Sequence, residues 1–240
     1  MKSQLFTFAF LMASLFSFGQ NQHEKDIIKT KSGNIQITFL GHASLIIEYG
    51  NKTIYIDPVS QYADYKTMPK ADIIIITHHH QDHFDPKAIS DIEQSQTQII
   101  TNQTVFESLK KGIIMKNNSK KTIDGFTIEA IAAYNTTPSK LAYHPKGRDN
   151  GFIINIGGKR IYIAGDTENI PEMSLLKHID IAFLPMNQPY TMSPEQVAEA
   201  AHRIQPSILY PYHYGETPIA ELQKRLINEK HIDLRVRKMQ

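Results

Sequence analysis

Two segments of the chain resemble each other and constrain the fold more than any other feature. Residues 45–57 (LIIEYGNKTIYID) and 152–164 (FIINIGGKRIYIA) align without a gap and match at seven of thirteen positions. In each segment two short apolar runs flank a turn that contains glycine, which is the pattern of a β-hairpin. Any two isoleucine-rich hairpins can look alike. The sharper interpretation is a domain built from two related β-halves, each of which brings one aspartate, Asp57 or Asp166, to a shared centre.

Further apolar runs predict more strands, and two segments between them predict helices. The clearest helix follows Ser193, because Pro194 suits the first helical position and Gln196 completes a capping box; it is expected to end near Ile204. A second helix is predicted after Thr217-Pro218. Strands and helices alternate without a strict βαβ rhythm, so the sequence favours a mixed α/β layered domain. The other predicted strands are 35–40, 73–76, 126–133, 179–184 and 207–210.

The first nineteen residues (MKSQLFTFAFLMASLFSFG) are predicted to be a secretory signal peptide. Lys2 supplies a positive charge, the following residues are mostly apolar, and Ser17 and Gly19 are small residues that suit a cleavage site. The apolar run is shorter than the roughly 20 residues that span a bilayer, so no stable membrane span is expected after removal; an uncleaved anchor is the alternative. We expect a secreted or periplasmic protein in which residues 20–240 form one domain that begins with a polar linker, 20–33.

Composition excludes several kinds of site and partner. The chain contains no cysteine, which excludes disulfides, thiolate zinc sites and a cysteine nucleophile. Any metal must therefore be held by histidine, carboxylate, amide oxygen or water. The formal net charge is +2 and the positive residues are scattered. Since a nucleic-acid-binding face normally shows as a basic stripe, nucleic acid is not expected as a partner.

A cluster of metal-ligating residue types follows the apolar strand predicted at 73–76. The segment 77–85 (THHHQDHFD) contains four of the eleven histidines. Because alternate residues can face the same way after a strand, His78 and His80 can bind one ion while Asp82 and His83 face a second. Imidazole and carboxylate suit zinc, and also manganese or iron. A solvated histidine-rich loop is the alternative, but the position after a buried strand favours the metal site.

Three more residues capable of such roles follow predicted strands. Asp166 lies in the sequence Gly165-Asp166-Thr167 after the second hairpin, and His213 follows the strand predicted at 207–210. Polar loops at strand ends are where a rigid scaffold gathers side chains into one site. Asp57, directly after the first hairpin, can hold the ligand loop in place as a hydrogen-bond acceptor.

The pattern H-x-H-x-D-H at 78–83, with Gly165-Asp166 and the late His213-Tyr214, resembles the metallo-β-lactamase superfamily. The resemblance spans about residues 35–230, and segments such as PMNQPYTMSPEQVAEAA (185–201) are similar to a branch of metal-dependent hydrolases. That branch includes lactonases acting on sugar acids and, more distantly, phospholipase-D-like enzymes acting on N-acylethanolamine phospholipids. The resemblance implies an αββα sandwich of two mixed sheets flanked by helices. It also implies hydrolysis of an ester, lactone or phosphodiester bond of a small molecule or lipid.

The resemblance implies two divalent ions, with zinc expected and manganese or iron as alternatives. A hydroxide held by the ions would attack the substrate, and Asp82 would orient it and shuttle its proton as the catalytic residue. The first ion would be held by His78 and His80, the second by Asp82, His83 and His213, and both by Asp166.

One expected ligand of the first ion has no direct counterpart. The family has a further histidine at the end of an intervening strand, whereas 128–137 (IEAIAAYNTT) offers Tyr134 and Asn135 and no histidine. Either His144 reaches back into the site, Asn135 donates its amide oxygen, or water completes the site. We favour His144 because imidazole suits a transition metal better than a neutral amide oxygen. A weakened site makes a non-catalytic metal-binding protein the alternative function, although the presence of Asp82 argues against it.

Two further residues are predicted to bind the substrate, His42 in GHAS and Tyr190 in PYTM. Three basic residues, Lys140, Lys146 and Arg148, follow the doubtful ligand position in a polar loop that contains glycine and proline. They suggest that the small-molecule substrate is anionic, although such a loop is more often simply solvated. The sequence does not predict an oligomeric state.

Overall fold

Short strands rich in isoleucine form most of the fold, which is known from a computed structural model that describes residues 23–240. The predicted signal peptide, 1–19, lies outside the described residues and stays a prediction. The strands are Glu24–Thr30 (β1), Gly33–Gly41 (β2), Ser44–Tyr49 (β3), Lys52–Ile56 (β4), Ile73–Ile75 (β5), Gln98–Thr101 (β6), Ile113–Ile114 (β7), Lys120–Ile123 (β8), Phe126–Ala133 (β9), Asp149–Ile156 (β10), Lys159–Ile163 (β11), Ile181–Pro185 (β12), Ile208–Tyr212 (β13) and Asp233–Leu234 (β14). The α-helices are Pro86–Ile92 (α1), Gln103–Leu109 (α2), Pro194–Ile204 (α3) and Ile219–Leu226 (α4).

The strands form two mixed sheets with the same order of pairing. Strands β1 to β7 form one sheet in chain order, and β8 to β14 form the other. In the first sheet β1 to β4 pair antiparallel and β4 to β7 parallel. In the second sheet β8 to β11 pair antiparallel and β11 to β14 parallel. Both predicted hairpins, β3–β4 and β10–β11, are present, and the matching topology agrees with a domain of two related halves.

Alternating burial explains why the strand before the histidine cluster is apolar without interruption. Ile73 and Ile75 belong to the large core that contains residues of both sheets, whereas Ile74 belongs to a smaller core with α1 and α2. A strand covered on both faces has no polar side, so its sequence reads as a continuous apolar run. Residues of α3 and α4, including Val197 and Leu222, pack into the large core. The fold is therefore the expected αββα sandwich.

Helix α3 begins where its capping residues predict. The Ser193 hydroxyl accepts a hydrogen bond from the Gln196 backbone N–H at 3.2 Å, and the Gln196 side chain accepts one from the Ser193 N–H at 2.9 Å. The loop that precedes the helix contains Tyr190, and this reciprocal capping box fixes the end of that loop. No helix within residues 23–240 is long and apolar enough to cross a membrane.

The prediction of a polar linker at 20–33 is wrong, because Glu24–Thr30 forms the edge strand β1 against β2. Glu24, Lys25 and Lys29 are exposed, while Asp26 and Ile28 are buried. Asp26 accepts hydrogen bonds from Tyr210 Oη at 2.5 Å and from Arg237 Nη2 at 2.7 Å, so its charge is compensated. A polar sequence can therefore form a strand here because several of its side chains are exposed to solvent and the buried Asp26 carboxylate is paired with Tyr210 and Arg237.

Candidate metal centre

The loops at the carboxyl ends of four strands bring the candidate ligands together. Asp57 follows β4, the histidine cluster follows β5, Asp166 follows β11 and His213 follows β13. The backbone N–H of His213 donates to the carbonyl of His42 at 2.9 Å, which connects the second half to the first. Three groups have ligand atoms within 4.8 Å of one another: His78, His80 and His144; His42, Asp82, His83 and His213; and His78, His83 and Asp166.

His144, the residue that the sequence analysis favoured, lies with His78 and His80 in the first group. Its role as a metal ligand stays a prediction. His78 Nε2 lies 3.0 Å from His80 Nδ1, and the His144 ring centroid lies 5.3 Å and 5.0 Å from those of His78 and His80. Asn135 lies beside this group. Its N–H donates to the His144 carbonyl at 2.8 Å and its Nδ2 donates to backbone carbonyls. The buried Asn135 Oδ1 has no hydrogen-bond partner among the described residues. Asn135 is therefore a neighbour of the group whose side-chain oxygen is unpaired.

Asp166 lies between the two groups and faces ligands of both. Its Oδ1 is 3.3 Å from His83 Nε2, and its Oδ2 is 3.3 Å from both His144 Nε2 and His213 Nε2. In the second group Asp82 Oδ2 lies 3.4 Å from His213 Nε2 and 4.0 Å from His83 Nε2. The Asp166 carboxylate is therefore within reach of histidines of both groups.

The residues of this cluster fit divalent metal ions. Several of their buried atoms have no hydrogen-bond partner among the described residues: His83 Nε2, both ring nitrogens of His144 and His213, and Asp166 Oδ1. Leaving a buried polar atom unpaired costs about 1–3 kcal/mol, so each such atom needs a partner. Bound divalent cations would satisfy the nitrogens that face the centre, one on each imidazole ring, together with the Asp166 oxygen. Imidazole and carboxylate without thiolate are a donor set that suits zinc, manganese and iron.

The charge states of the cluster also suit a metal. Burial, with nearby His83, lowers the pKa of His78 well below its usual value, and burial with nearby His144 lowers that of His80 to about 4. Both imidazoles are therefore neutral at pH 7, the state that binds metal. Burial would raise the pKa of Asp166, but His213 and His83 hold it well below its usual value, so the group is a carboxylate.

The pKa values of His83 and His213 are raised, whereas those of His78 and His80 are lowered. Burial opposes protonation, but the Asp166 carboxylate raises the pKa of His213 above its usual value, and Asp166 with Asp57 raises the pKa of His83 well above it. Protons on these two rings compete with a cation for the same nitrogens. Metal binding would therefore release protons and weaken as the pH falls.

A buried layer behind the ligands orients the second group. Asp57 Oδ2 accepts hydrogen bonds from His83 Nδ1 at 2.8 Å and from the Thr77 hydroxyl at 2.7 Å, and Asp57 Oδ1 accepts from the Thr77 N–H at 2.8 Å. Fixing Nδ1 in this way leaves His83 Nε2 free toward the centre. Three non-glycine residues of the site, His42, Asp57 and His213, have positive φ angles. Such backbone strain is typical of positions that a functional site requires.

His42 contacts the catalytic candidate. Its Nε2 lies 3.0 Å from Asp82 Oδ2, and its ring packs 3.7 Å from His213 and 5.3 Å from Tyr62 between ring centroids. Burial lowers the pKa of His42, so the ring is neutral at pH 7. Burial would raise the pKa of Asp82, but the nearby His213 and His42 rings hold it well below its usual value. Direct contact between His42 and a substrate stays a prediction.

A cavity of about 310 Å³ opens onto the cluster. Tyr190 lines it, and so do two residues that the sequence analysis missed, Tyr143 and Asn187. Contact between Tyr190 and a substrate stays a prediction. Asn187 follows β12 by two residues, the same signal that identified Asp166 and His213. The other lining residues are His80, Asp82, His144, Asp166 and His213. Two larger surface grooves, of about 720 and 800 Å³, contain no residue of the metal cluster.

The three basic residues proposed to bind an anion are engaged elsewhere. Lys140 Nζ lies 3.2 Å from Glu168 Oε1, Lys146 Nζ lies 3.3 Å from Glu172, and Arg148 pairs with Asp149 at 2.8 Å. None of the three lines the cavity. These contacts give no support to an anionic substrate held by this loop.

Comparisons with known proteins agree with the fold and the site. The family model of the beta-lactamase superfamily domain matches residues 36–213. The chain is 32% identical over 213 residues to a UPF0173 metal-dependent hydrolase of Nanoarchaeum equitans, covering 83% of this chain and 94% of that protein. It is 35% identical over 196 residues to another from Ligilactobacillus salivarius, covering 77% and 87%.

Solved structures include similar chains. A crystal structure of a protein named as a metal-dependent hydrolase from Parabacteroides distasonis is 55% identical, with a TM-score of 0.89, and covers 91% of this chain and 100% of that one. Igni18 from Ignicoccus hospitalis, a metallo hydrolase, has a TM-score of 0.71 at 23% identity, covers 85% and 95%, and supports the fold alone. The hydrolase relatives favour an enzyme over a non-catalytic metal-binding protein. The chain therefore belongs to the metallo-β-lactamase superfamily and, within it, to the UPF0173 metal-dependent hydrolases.

Proposed function

We propose that the protein hydrolyses an ester-type bond, namely a carboxylic ester, lactone or phosphodiester, in a small molecule that enters the 310 Å³ cavity. The observation that carries this proposal is the position of Asp166, whose carboxylate lies 3.3 Å from histidines of both groups. Such an arrangement suits two divalent ions, and we expect zinc, with manganese or iron as alternatives. The lactonase-like motifs of the sequence support a lactone among the candidate substrates.

The residues of the chain would divide the work as follows. His78, His80 and His144 would hold one ion, His83 and His213 with Asp82 the other, and Asp166 both. Bound ions lower the pKa of a water molecule and stabilise negative charge on a substrate oxygen.

We propose that Asp82 moves the proton. Its side chain is 43% exposed and lines the cavity, whereas its Oδ2 contacts His42 and His213. Those contacts keep it deprotonated. Because bound ions would lower the pKa of the water, the carboxylate could then accept a proton from it and pass that proton to the leaving group. His42 holds the carboxylate in that orientation.

The test is hydrolysis of a panel of esters, lactones and phosphodiesters by metal-loaded protein. Asp82→Asn is expected to lower kcat by about 100-fold or more. Asp233→Asn is the matched control, because Asp233 is exposed and pairs only with Arg235 at 2.7 Å. Metal content is measured on each variant so that loss of an ion is distinguished from loss of proton transfer. Absence of hydrolysis by protein carrying both ions would contradict the proposal.

We also propose that residues 1–19 direct the enzyme to a secreted or periplasmic location, on the basis of their positive charge, apolar run and small residues near Gly19. N-terminal sequencing of protein recovered outside the cytoplasm tests this directly. A mature chain that begins near Gln20 is expected. An intact Met1 on protein confined to the cytoplasm would contradict it.

A further inference from the structure

Two tyrosines form an aromatic rim beside the metal cluster. Tyr143 and Tyr190 pack edge to face, with ring centroids 5.0 Å apart and an interplanar angle of 76°. Both line the cavity, yet they are 38% and 44% exposed, so much of each ring is open to a ligand. Large aromatic side chains at this exposure, next to a catalytic cavity, are typical of a subsite that contacts an apolar group.

The rim is fixed from behind by buried and paired side chains. Asn135 Nδ2 donates to the Tyr190 carbonyl at 2.8 Å and to the Lys140 carbonyl at 3.1 Å, which joins the two loops. Arg148 Nη2 donates to the Tyr143 carbonyl at 2.7 Å. The backbone of both rim residues is therefore held in place before a ligand packs against the rings, which lowers the cost of ordering these loops on binding.

The lysine and arginine side chains nearest the rim bond to other residues and do not line the cavity. Lys140 bonds Gln188 Oε1 at 3.2 Å as well as Glu168, and Arg148 is committed to Asp149 and the Tyr143 carbonyl. Among the described residues that line the cavity there is no lysine or arginine. A carboxylate or phosphate held against the rim would therefore have no lysine or arginine side chain of the cavity lining to pair with it.

We propose that Tyr143 and Tyr190 form a subsite for an uncharged ring or alkyl substituent, so that the substrate is a small uncharged carboxylic ester or lactone. This inference rests on the proposed hydrolase function and narrows it. In the reaction, water adds across the acyl C–O bond. The carbonyl carbon gains the hydroxyl group, and the alcohol oxygen leaves with a proton, which for a lactone gives one hydroxy acid.

The experiment compares two lactones that differ only in the substituent. Metal-loaded protein is assayed with γ-phenyl-γ-butyrolactone and with the same ring carrying a γ-carboxylate. The phenyl lactone is expected to have a kcat/KM about tenfold higher, mostly through a lower KM. Tyr190→Ala should lower kcat/KM for the phenyl lactone by roughly 3- to 10-fold, as expected for one aromatic contact. The same variant should lower kcat/KM for unsubstituted γ-butyrolactone much less than for the phenyl lactone, and Tyr190→Phe should keep the preference for the phenyl lactone.

A second readout does not depend on turnover. Calorimetric titration of the same protein with 3-phenylcyclopentanone and 3-oxocyclopentanecarboxylate, which contain no hydrolysable bond, should show tighter binding of the phenyl ketone. Equal or tighter binding of the carboxylate, or a preference that survives Tyr190→Ala and Tyr143→Ala, would overturn the inference. Hydrolysis of phosphodiesters alone would overturn it while leaving the proposed function intact. Binding preference without any hydrolysis would support the subsite and contradict the proposed function.

Discussion

A buried glutamate is expected to hold the loop that delivers His144. The Glu168 carboxylate has no exposed surface and accepts hydrogen bonds from the N–H and hydroxyl groups of both Thr136 and Thr137, at 2.7 to 3.1 Å. Lys140 Nζ lies 3.2 Å from it. Burial would raise the pKa of Glu168, but the bonds from Thr137 and Thr136 lower it to about 2. The hydrogen bonds of the loop that precedes His144 therefore converge on one buried negative charge.

We predict that Glu168→Ala costs about 3–5 kcal/mol of folding free energy, the usual loss when one partner of a buried pair is removed. Each buried N–H left unpaired contributes about 1–3 kcal/mol of that cost. Glu168→Gln keeps one acceptor oxygen but not the charge, so its loss should be smaller. Because the released loop no longer holds His144 beside His78, affinity for the first ion should fall by about 10- to 100-fold.

The assay is metal affinity by competition with a chromophoric chelator, combined with urea denaturation. His144→Ala should lose the same ion, and adding Glu168→Ala to it should cause little further loss of affinity. Glu172→Ala is the matched control, because Glu172 is nearby but partly exposed and pairs with Lys146. If Glu168→Ala destabilises the fold yet binds both ions with the parent affinity, Glu168 does not position His144.

Three further predictions concern other parts of the structure. Asp57→Asn removes the carboxylate that orients His83 and should weaken the second ion by about 10- to 100-fold in the same chelator assay; unchanged affinity would argue against that orienting role. Asp26→Asn should destabilise the protein at pH 7 by about 3 kcal/mol, because its arginine partners are left unpaired. Burial opposes ionisation of Asp26, but Tyr210 and Arg237 lower its pKa below 3.8, so its contribution is present above pH 3.8 and is lost as the pH falls further. Urea titrations at pH 7 and pH 3 should therefore show a smaller difference between Asp26→Asn and the parent at the lower pH; a constant difference would refute this. Chelation should lower the Tm of the parent protein and added zinc or manganese should restore it, because ions that bind only the folded state stabilise it; an unchanged Tm would show that the cluster holds no ion.

Local patterns in the sequence predict the parts of the fold that depend on local chemistry. The two hairpins have glycine turns, and α3 has a complete capping box at Ser193, so both could be read from a few adjacent residues. β1 could not be, because its polar residues lie on an edge strand and Asp26 is compensated by Arg235 and Arg237 from the far end of the chain. Short strands such as β7, with two residues, carry no periodicity.

In the candidate site, too, residues of a local motif could be predicted from the sequence, and residues held by distant contacts could not. His78, His80, Asp82 and His83 lie in one short motif and could be identified together. The position of His144 depends on a loop that is folded around Glu168, a contact between residues far apart in sequence. Sequence reasoning therefore left His144, Asn135 and water as alternatives. Thr77 and Tyr143 were missed because their roles come from packing against other site residues.

Metal content per chain tests the central claim most directly. Protein purified without chelators and analysed by mass spectrometry is predicted to carry about two equivalents of zinc, manganese or iron, and His144→Ala about one. Two equivalents in the parent with one lost in the variant would place His144 among the ligands of the first ion. One equivalent or fewer in the parent, unchanged after dialysis against excess metal, would contradict a two-ion centre bridged by Asp166.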